Sequence, residues 1–209
     1  MNNTNAETMI MIRIVNREYL VDLDKIPFIT RLVRTRWFPT PGTTAQVLML
    51  DTEILFFGLI NTSLGDGFGE IFGKISTRMN NYRRICETLK RLEIDVFVGR
   101  SLSDIVHELN PNYEKSDGDR QLTRDQRKER SLNSAFRLIY HFYEGDSELG
   151  VVSSSRESNE ALSVLSHCSI YTRLARKLVK TAYVERCQVT SNQLERLEEL
   201  PPGPPIRFL

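Results

Sequence analysis

Residues 9–23 read MIMIRIVNREYLVDL, two short β-prone runs joined at Asn16 and Arg17. In the second run, Tyr19 and Val21 alternate with side chains that would point to the opposite face of a strand, as a period of two residues requires. Runs of this length that are rich in β-branched and aromatic residues are typical of strands. The stretch therefore predicts a β-hairpin at the start of the fold.

The pattern changes to helical spacing directly after the hairpin. Between Lys25 and Trp37, apolar side chains recur at intervals of three and four residues: Ile26, Ile29, Leu32, Val33 and Trp37. This spacing predicts an amphipathic helix, and Asp24 is its candidate N-cap. Pro39 and the pair 41–42 (Pro-Gly) then interrupt the chain.

A third strand and a short helix are predicted next. Val47–Leu50 is a short apolar run that favours a strand, and Asp51 is the candidate cap of the following helix. The inner face of that helix is predicted to consist of Ile54, Leu55, Phe57 and Leu59. Two further helices are predicted at about 70–79 and 81–92.

Four of the chain's eleven glycines lie in residues 63–74, SLGDGFGEIFGK, a density that raises the question of a phosphate-binding loop. A Walker loop requires a glycine where Phe68 stands and a hydroxyl where Ile75 stands. The dinucleotide fingerprint that begins at Gly65 has Glu70 in place of its third glycine, and a carboxylate there would repel a pyrophosphate. Neither template is met, so the stretch predicts a glycine-rich bend between two elements.

The order of hairpin, helix, strand, short helix, glycine turn and helices resembles the BTB/POZ superfamily, above all its potassium-channel-tetramerisation branch and its relative elongin C. Three pieces carry the resemblance: IRIVNREYLVDLDKIPFITRLV at 12–33, VLMLDTEILFFGLINTSLGDG at 47–67 and ETLKRLEID at 87–95. The resemblance covers about 9–95. It implies an α+β fold with a BTB/POZ-like small sheet and helices at the N-terminus. An unrelated small α+β domain with the same element order is the alternative.

The resemblance implies interaction rather than chemistry. Members of the superfamily self-associate, and many dock to a cullin-type ubiquitin ligase scaffold, so a homo-oligomer is expected. The expected self-association surface consists of Ile29, Leu32, Val33, Trp37 and Phe38.

The second half of the chain predicts helices only. Ser101–Leu109 is a short helix, and NPNYEKSDGDRQ at 110–121 is polar, as is typical of a linker. A capping box at Thr123 and Gln126 opens a helix that ends near residue 143. Its predicted inner face is Leu132, Ala135, Phe136, Ile139, Tyr140 and Tyr143.

Two more helices are predicted beyond a serine-containing loop. A three-four repeat of apolar residues runs from Ala161 to Ala182, and a capping box at Thr190 and Gln193 opens the last helix. The chain is therefore expected to divide into a disordered N-terminus, a BTB-like α+β domain, a linker, an all-helical domain and a proline-rich tail, at 1–8, 9–109, 110–122, 123–200 and 201–209.

Composition indicates a globular protein. The 209 residues include 28 Lys plus Arg and 27 Asp plus Glu, so the formal net charge of +1 gives no global attraction to nucleic acid or membrane. The longest apolar runs fall far short of the roughly 20 residues of a membrane span, and no signal peptide is expected. Three widely spaced cysteines argue against a disulfide framework and predict a cytoplasmic or nuclear location.

Local charge nevertheless stands out in the helical half. Arg173, Arg176, Lys177 and Lys180 follow the spacing i, i+3, i+4 and i+7, which places them on one helical stripe. Such a stripe can bind an acidic protein surface or a phosphate backbone. The tail, PPGPPIRFL at 201–209, adds apolar residues after a rigid spacer, and these are expected to dock on this chain or on a partner: Ile206, Phe208 and Leu209.

No catalytic, cofactor-binding or metal-binding constellation is recognised in the sequence. His107, His141, His167 and Cys168 lack the spacing of a zinc site, and no nucleophile lies beside a base. The sequence predicts a non-enzymatic adaptor that self-associates through its N-terminal module and recruits a protein through its helical half. The alternative is a nucleic-acid-binding protein, such as a viral accessory or matrix-type protein, that uses basic helical stripes.

Overall fold

The computed structural model describes residues 9–36, 47–109, 123–144, 173–187 and 189–198. Within these ranges the protein has an α+β fold, with one small sheet near the N-terminus and helices in the remainder. The predicted N-terminal segment, linker and tail lie outside the described residues. No helix in the described part is long and apolar enough to cross a membrane.

The described elements follow the predicted alternation of strands and helices. They are β1 (Met9–Ile14), β2 (Arg17–Asp22), α1 (Pro27–Arg36), β3 (Leu48–Leu50), α2 (Phe57–Asp66), a 3-10 turn (Phe68–Glu70), α3 (Ile71–Lys74), α4 (Met79–Arg91), α5 (Leu102–Leu109), α6 (Arg124–Glu144), α7 (Arg173–Arg186) and α8 (Ser191–Glu198).

The central strand of the sheet is β1, which pairs antiparallel with β2 and parallel with β3. The predicted hairpin is confirmed, but its turn consists of Val15 and Asn16, because Arg17 already belongs to β2. Val15 has φ +54°, a conformation that β-branched residues rarely adopt. The inner face of the hairpin is buried and consists of Ile10, Ile12, Ile14 and Val21.

Two predicted helix starts are wrong. α1 begins at Pro27 rather than directly after Asp24, since the fixed φ of proline suits the first position of a helix. α2 begins at Phe57 rather than directly after Asp51. Leu55, predicted on the inner face of that helix, is 43% exposed because it precedes the helix and does not follow helical spacing.

The helix α6 lies at the centre of the helical half. Its capping box forms as predicted, since the Thr123 amide donates to Gln126 Oε1 at 2.9 Å; the Thr190 amide donates likewise to Gln193 Oε1 at 2.9 Å before α8. α6 contacts the 3-10 turn, α4, α5 and α7. Its buried surface is therefore wider than a single inner face and includes Ser131, Ser134, Ala135, Phe136, Arg137, Leu138, Ile139, Tyr140 and Phe142.

One apolar cluster joins the sheet-bearing half to the helices. Phe136 of α6 stacks on Phe68 with ring centroids 5.3 Å apart and meets Phe72 edge-on at 6.4 Å. At the other end of α6, Phe142 packs against Tyr183 of α7 at 5.6 Å. The core thus continues past residue 109 into the helical half. The division into two domains stays a prediction.

Candidate protein-interaction surface

The glycine-rich bend holds α6 in place. Gly67, at φ +94°, ends α2, and a Cβ atom added there would lie 2.8 Å from Asn133 Oδ1. The Gly69 amide donates to the same oxygen at 2.6 Å. Lys74, the lysine at the end of the glycine-rich stretch, forms an ion pair with Glu70. The glycines therefore permit the close approach of a helix and hydrogen-bond its side chain.

The predicted self-association residues lie in different environments. Ile29 and Val33 are buried in the chain's own core, at 0% and 8% exposure, so their side chains are not surface. Leu32 is half-buried and lines a small pocket with Phe28 and Met49. The other two predicted residues, at 37 and 38, lie outside the described ranges. Self-association itself stays a prediction.

An apolar surface that the sequence analysis missed lies on the outer face of the sheet. Met9, Met11, Leu20 and Met49 are 40%, 36%, 54% and 53% exposed. The register sets Met11 opposite Leu20 and places Met49 beside Arg13, so we call these four residues the outer sheet face. Alternation within 9–14, with isoleucines at every second position, was the signal for it.

The charges that border the outer sheet face are paired. The Arg13 Nε–H donates to Glu18 Oε1 at 3.0 Å, and these two residues occupy opposite positions on β1 and β2. At the other end of β2, Lys25 Nζ lies 3.8 Å from Asp22 Oδ2. Because each cation has an anionic neighbour, this surface is apolar and close to neutral.

The outer edge of β2 is closed by a side chain of α2. The Asn61 Nδ2–H donates to the Leu20 carbonyl at 3.0 Å, and Tyr19 meets Phe57 edge-on at 5.0 Å. The Asn61 side chain thus partly covers this edge, and covering an edge strand is a common protection against edge-to-edge association. The face of the sheet, rather than this edge, is the accessible part.

The predicted basic stripe lies along α7. Arg173 and Lys177 are exposed, whereas Arg176 and Lys180 are half-buried and already have interaction partners. The opposite side of α7 packs into the core through Ala175, Leu178, Val179 and Ala182. Two of the four residues are therefore exposed to solvent. The other predicted partner-binding residues, Ile206, Phe208 and Leu209, lie outside the described ranges.

A groove of about 580 Å³ between α4 and the ends of α6 and α7 is lined by an internal ion pair. Arg83 Nη2 lies 3.0 Å from Glu185 Oε2, and the Tyr143 hydroxyl donates to the same oxygen at 2.5 Å. Burial raises the pKa of the Tyr143 hydroxyl, and the hydrogen bond to Glu185 raises it further. Burial also raises the pKa of the Cys86 thiol on this groove, so little reactive thiolate forms at neutral pH.

Among the described residues, no group of three or more His, Cys, Asp and Glu side chains could hold a metal ion. Comparison with known proteins gives no match: no protein-family model, no curated protein and no solved structure is similar to this chain. Within the described ranges the chain is an α+β protein, and one face of its three-stranded sheet exposes four large apolar side chains.

Proposed function

We propose that this protein is a non-enzymatic adaptor that associates with itself through its N-terminal module and recruits another protein through its helical half. The observation that carries the proposal is the outer sheet face, where Met9, Met11, Leu20 and Met49 expose apolar surface around a neutral ion pair. Clustered apolar surface on a folded protein marks interaction sites.

The element order supports a BTB-like N-terminal module. A hairpin, a helix and a third strand parallel to the first are followed by α2, the glycine bend and α4, the order that the sequence resemblance implies. Docking to a cullin-type ligase scaffold belongs to this proposal. Cys86 and Cys187 are buried free thiols, in keeping with a cytoplasmic or nuclear location.

Recruitment through the helical half is supported by the exposed cations of α7. Arg173 and Lys177 are exposed while the opposite side of the helix is anchored in the core, so an acidic surface can approach them without unfolding the helix. The apolar residues Ile206, Phe208 and Leu209 of the tail are proposed as additional anchors for the same partner.

The alternative function, nucleic-acid binding, uses the same two exposed cations. The dependence of binding affinity on salt concentration distinguishes it from protein binding. The variant Arg173→Glu/Lys177→Glu is compared with Arg34→Glu, which reverses an exposed cation on α1. A phosphate-binding stripe would lose affinity in the first variant only, with the log-log salt slope reduced by about 0.7 to 0.9 for each lost contact. A protein interface with apolar anchors gives a shallower slope, and we expect that result.

The decisive test of the adaptor function is affinity capture of the full chain from native cells, together with light scattering over a range of protein concentrations. We expect an oligomer and a co-purifying protein that survives nuclease treatment. A monomer that carries nuclease-sensitive nucleic acid, removed by salt, would establish the alternative instead.

A further inference from the structure

We propose that the outer sheet face binds the same face of a second copy of this chain, in a two-fold arrangement centred on Met11. This inference rests on the proposed function and deepens it, since it replaces an expected self-association surface on α1 by one on the sheet. The burial of Ile29 and Val33 in the chain's own core motivates the replacement.

One face of the small sheet is packed against the core, whereas the other exposes four large apolar side chains. The inner face is packed by Ile10, Ile12, Ile14 and Val21, whereas Met11 and Leu20 are 36% and 54% exposed. Sheets commonly pack face to face at about 10 Å, with side chains of the two faces interdigitated. Methionine suits such a surface because its unbranched side chain adapts to its neighbours.

The charges at this face favour a second copy of the chain as its occupant. The border of the face carries Arg13 with Glu18 and Lys25 with Asp22, so its charges cancel. A nucleic acid or a strongly acidic protein gains nothing from a neutral surface, whereas an identical neutral surface brings no unpaired charge. A two-fold contact is self-complementary by symmetry, which this face satisfies.

The order of the side chains along β1 indicates how the two copies are oriented. Met9, Met11 and Arg13 follow one another along the outer side of β1. In an antiparallel two-fold pairing centred on Met11, Met11 meets Met11 of the other copy, and Arg13 lies opposite the partner's Met9. The Arg13–Glu18 ion pair then lies toward one end of the paired strands, beside Met49, and its charges compensate each other. Edge-to-edge pairing through β2 is disfavoured because the Asn61 side chain already bonds the Leu20 carbonyl at this edge.

The first experiment compares Met11→Asp and Leu20→Asp with Val184→Asp, which places the same charge at a 40% exposed apolar position on α7. Light scattering reports the mass of the full chain, and circular dichroism reports its fold. We expect the wild type and Val184→Asp to be dimers or multiples of dimers. Met11→Asp and Leu20→Asp should have half that mass with an unchanged spectrum.

The second experiment remains decisive if an aspartate variant unfolds. Met11→Cys is treated with a short bismaleimide, with Val184→Cys and the wild type as controls for other thiols. We expect a covalent dimer from Met11→Cys alone. A wild-type oligomer that neither links through Met11→Cys nor dissociates in Met11→Asp overturns this inference and leaves self-association at another surface. If the wild type stays monomeric at all concentrations and Met11→Cys forms no covalent dimer, both this inference and the proposed self-association are wrong.

Discussion

The hydroxyl of Tyr82 is buried on α4 and has no hydrogen-bond partner among the described residues. Its ring packs against Phe72 with centroids 5.6 Å apart. The ring therefore has apolar contacts, whereas the hydroxyl lacks a polar one. Burial raises the pKa of Tyr82 to about 12. A buried hydroxyl that has lost its hydrogen bonds to water and has formed no other lowers the stability of the folded state.

Replacing Tyr82 by phenylalanine should therefore stabilise the protein by about 1 kcal/mol in urea unfolding at neutral pH. Because the pKa is raised in the folded state, the unfolded wild type releases a proton first, and wild-type stability falls as the pH rises above about 10. The advantage of Tyr82→Phe should widen there. At neutral pH, Tyr143→Phe is the control and should lower the stability, since its hydroxyl donates a hydrogen bond to Glu185. Equal effects of the two variants would show that the Tyr82 hydroxyl has a partner.

At the scale of elements, the seam between the glycine bend and α6 depends on the missing Cβ atoms. A Cβ at Gly69 would lie 2.9 Å from Leu132 Cβ and 3.3 Å from the Asn133 amide nitrogen, whereas one at Gly73 would meet nothing within 4 Å. The two glycines are only a few residues apart, and only one of them faces the helix. This contrast provides a matched pair of substitutions.

Gly69→Ala should cost about 2 kcal/mol of stability, because the backbone of α6 must move to admit the methyl group. Gly73→Ala should be neutral or stabilising by up to about 1 kcal/mol, since alanine favours the helix α3. Thermal and urea unfolding measure both. Similar losses of stability in the two variants would mean that α6 does not pack against the glycine bend.

A second seam between elements is the ion-pair network around Glu108 of α5. The Arg137 Nε–H donates to the Val96 carbonyl at 3.1 Å, and Arg137 Nη1 lies 3.7 Å from Glu108 Oε2. The same carboxylate oxygen accepts a 2.5 Å hydrogen bond from Ser134, and Glu108 Oε1 lies 3.0 Å from Arg100 Nε. Burial lowers the pKa of the Arg137 guanidinium, with a further contribution from Arg100.

Arg137→Ala should destabilise the fold by about 3 kcal/mol, because it removes a buried hydrogen bond and leaves Glu108 with fewer compensating charges. Glu108→Gln should lower the stability less in the Arg137→Ala variant than in the wild type. A double-mutant cycle measures this difference. Additive losses would show that the two side chains act independently, so that the stabilising contribution of Arg137 lies in its bond to Val96 alone.

At the scale of the whole molecule, the core runs from the sheet through the 3-10 turn into α6 and α7. Phe136 is fully buried and contacts both Phe68 and Phe72. A helix with such contacts unfolds together with the elements that it touches. We therefore expect the described halves to unfold as one unit.

Phe136→Ala should lower the free energy of unfolding by about 3 to 5 kcal/mol. Hydrogen exchange should rise in peptides from β1 as well as in those from α7. Leu194→Ala, at a 40% exposed position on α8, is the control and should change little. Faster exchange in α7 with an unchanged sheet would contradict the single unit and favour two domains divided at 110–122.

The sequence by itself determined the features that depend on near neighbours. The alternation in 9–23 specified the hairpin, and the boxes at Thr123 and Thr190 specified two helix starts, because strand period and capping involve residues at most a few positions apart. The caps at Asp24 and Asp51 failed, since Pro27 offered a better first position and residues 52–56 are not helical.

Only the tertiary structure decided which surfaces are covered. Asn133 is far from Gly69 in sequence, so no local pattern could show that the glycine bend accommodates a helix. The same applies to Ile29, whose helical spacing fitted a core or an interface equally well, and to Met11, whose alternation with buried isoleucines left open whether the other face was covered. Burial depends on which element packs where, and that is set by contacts between distant parts of the chain.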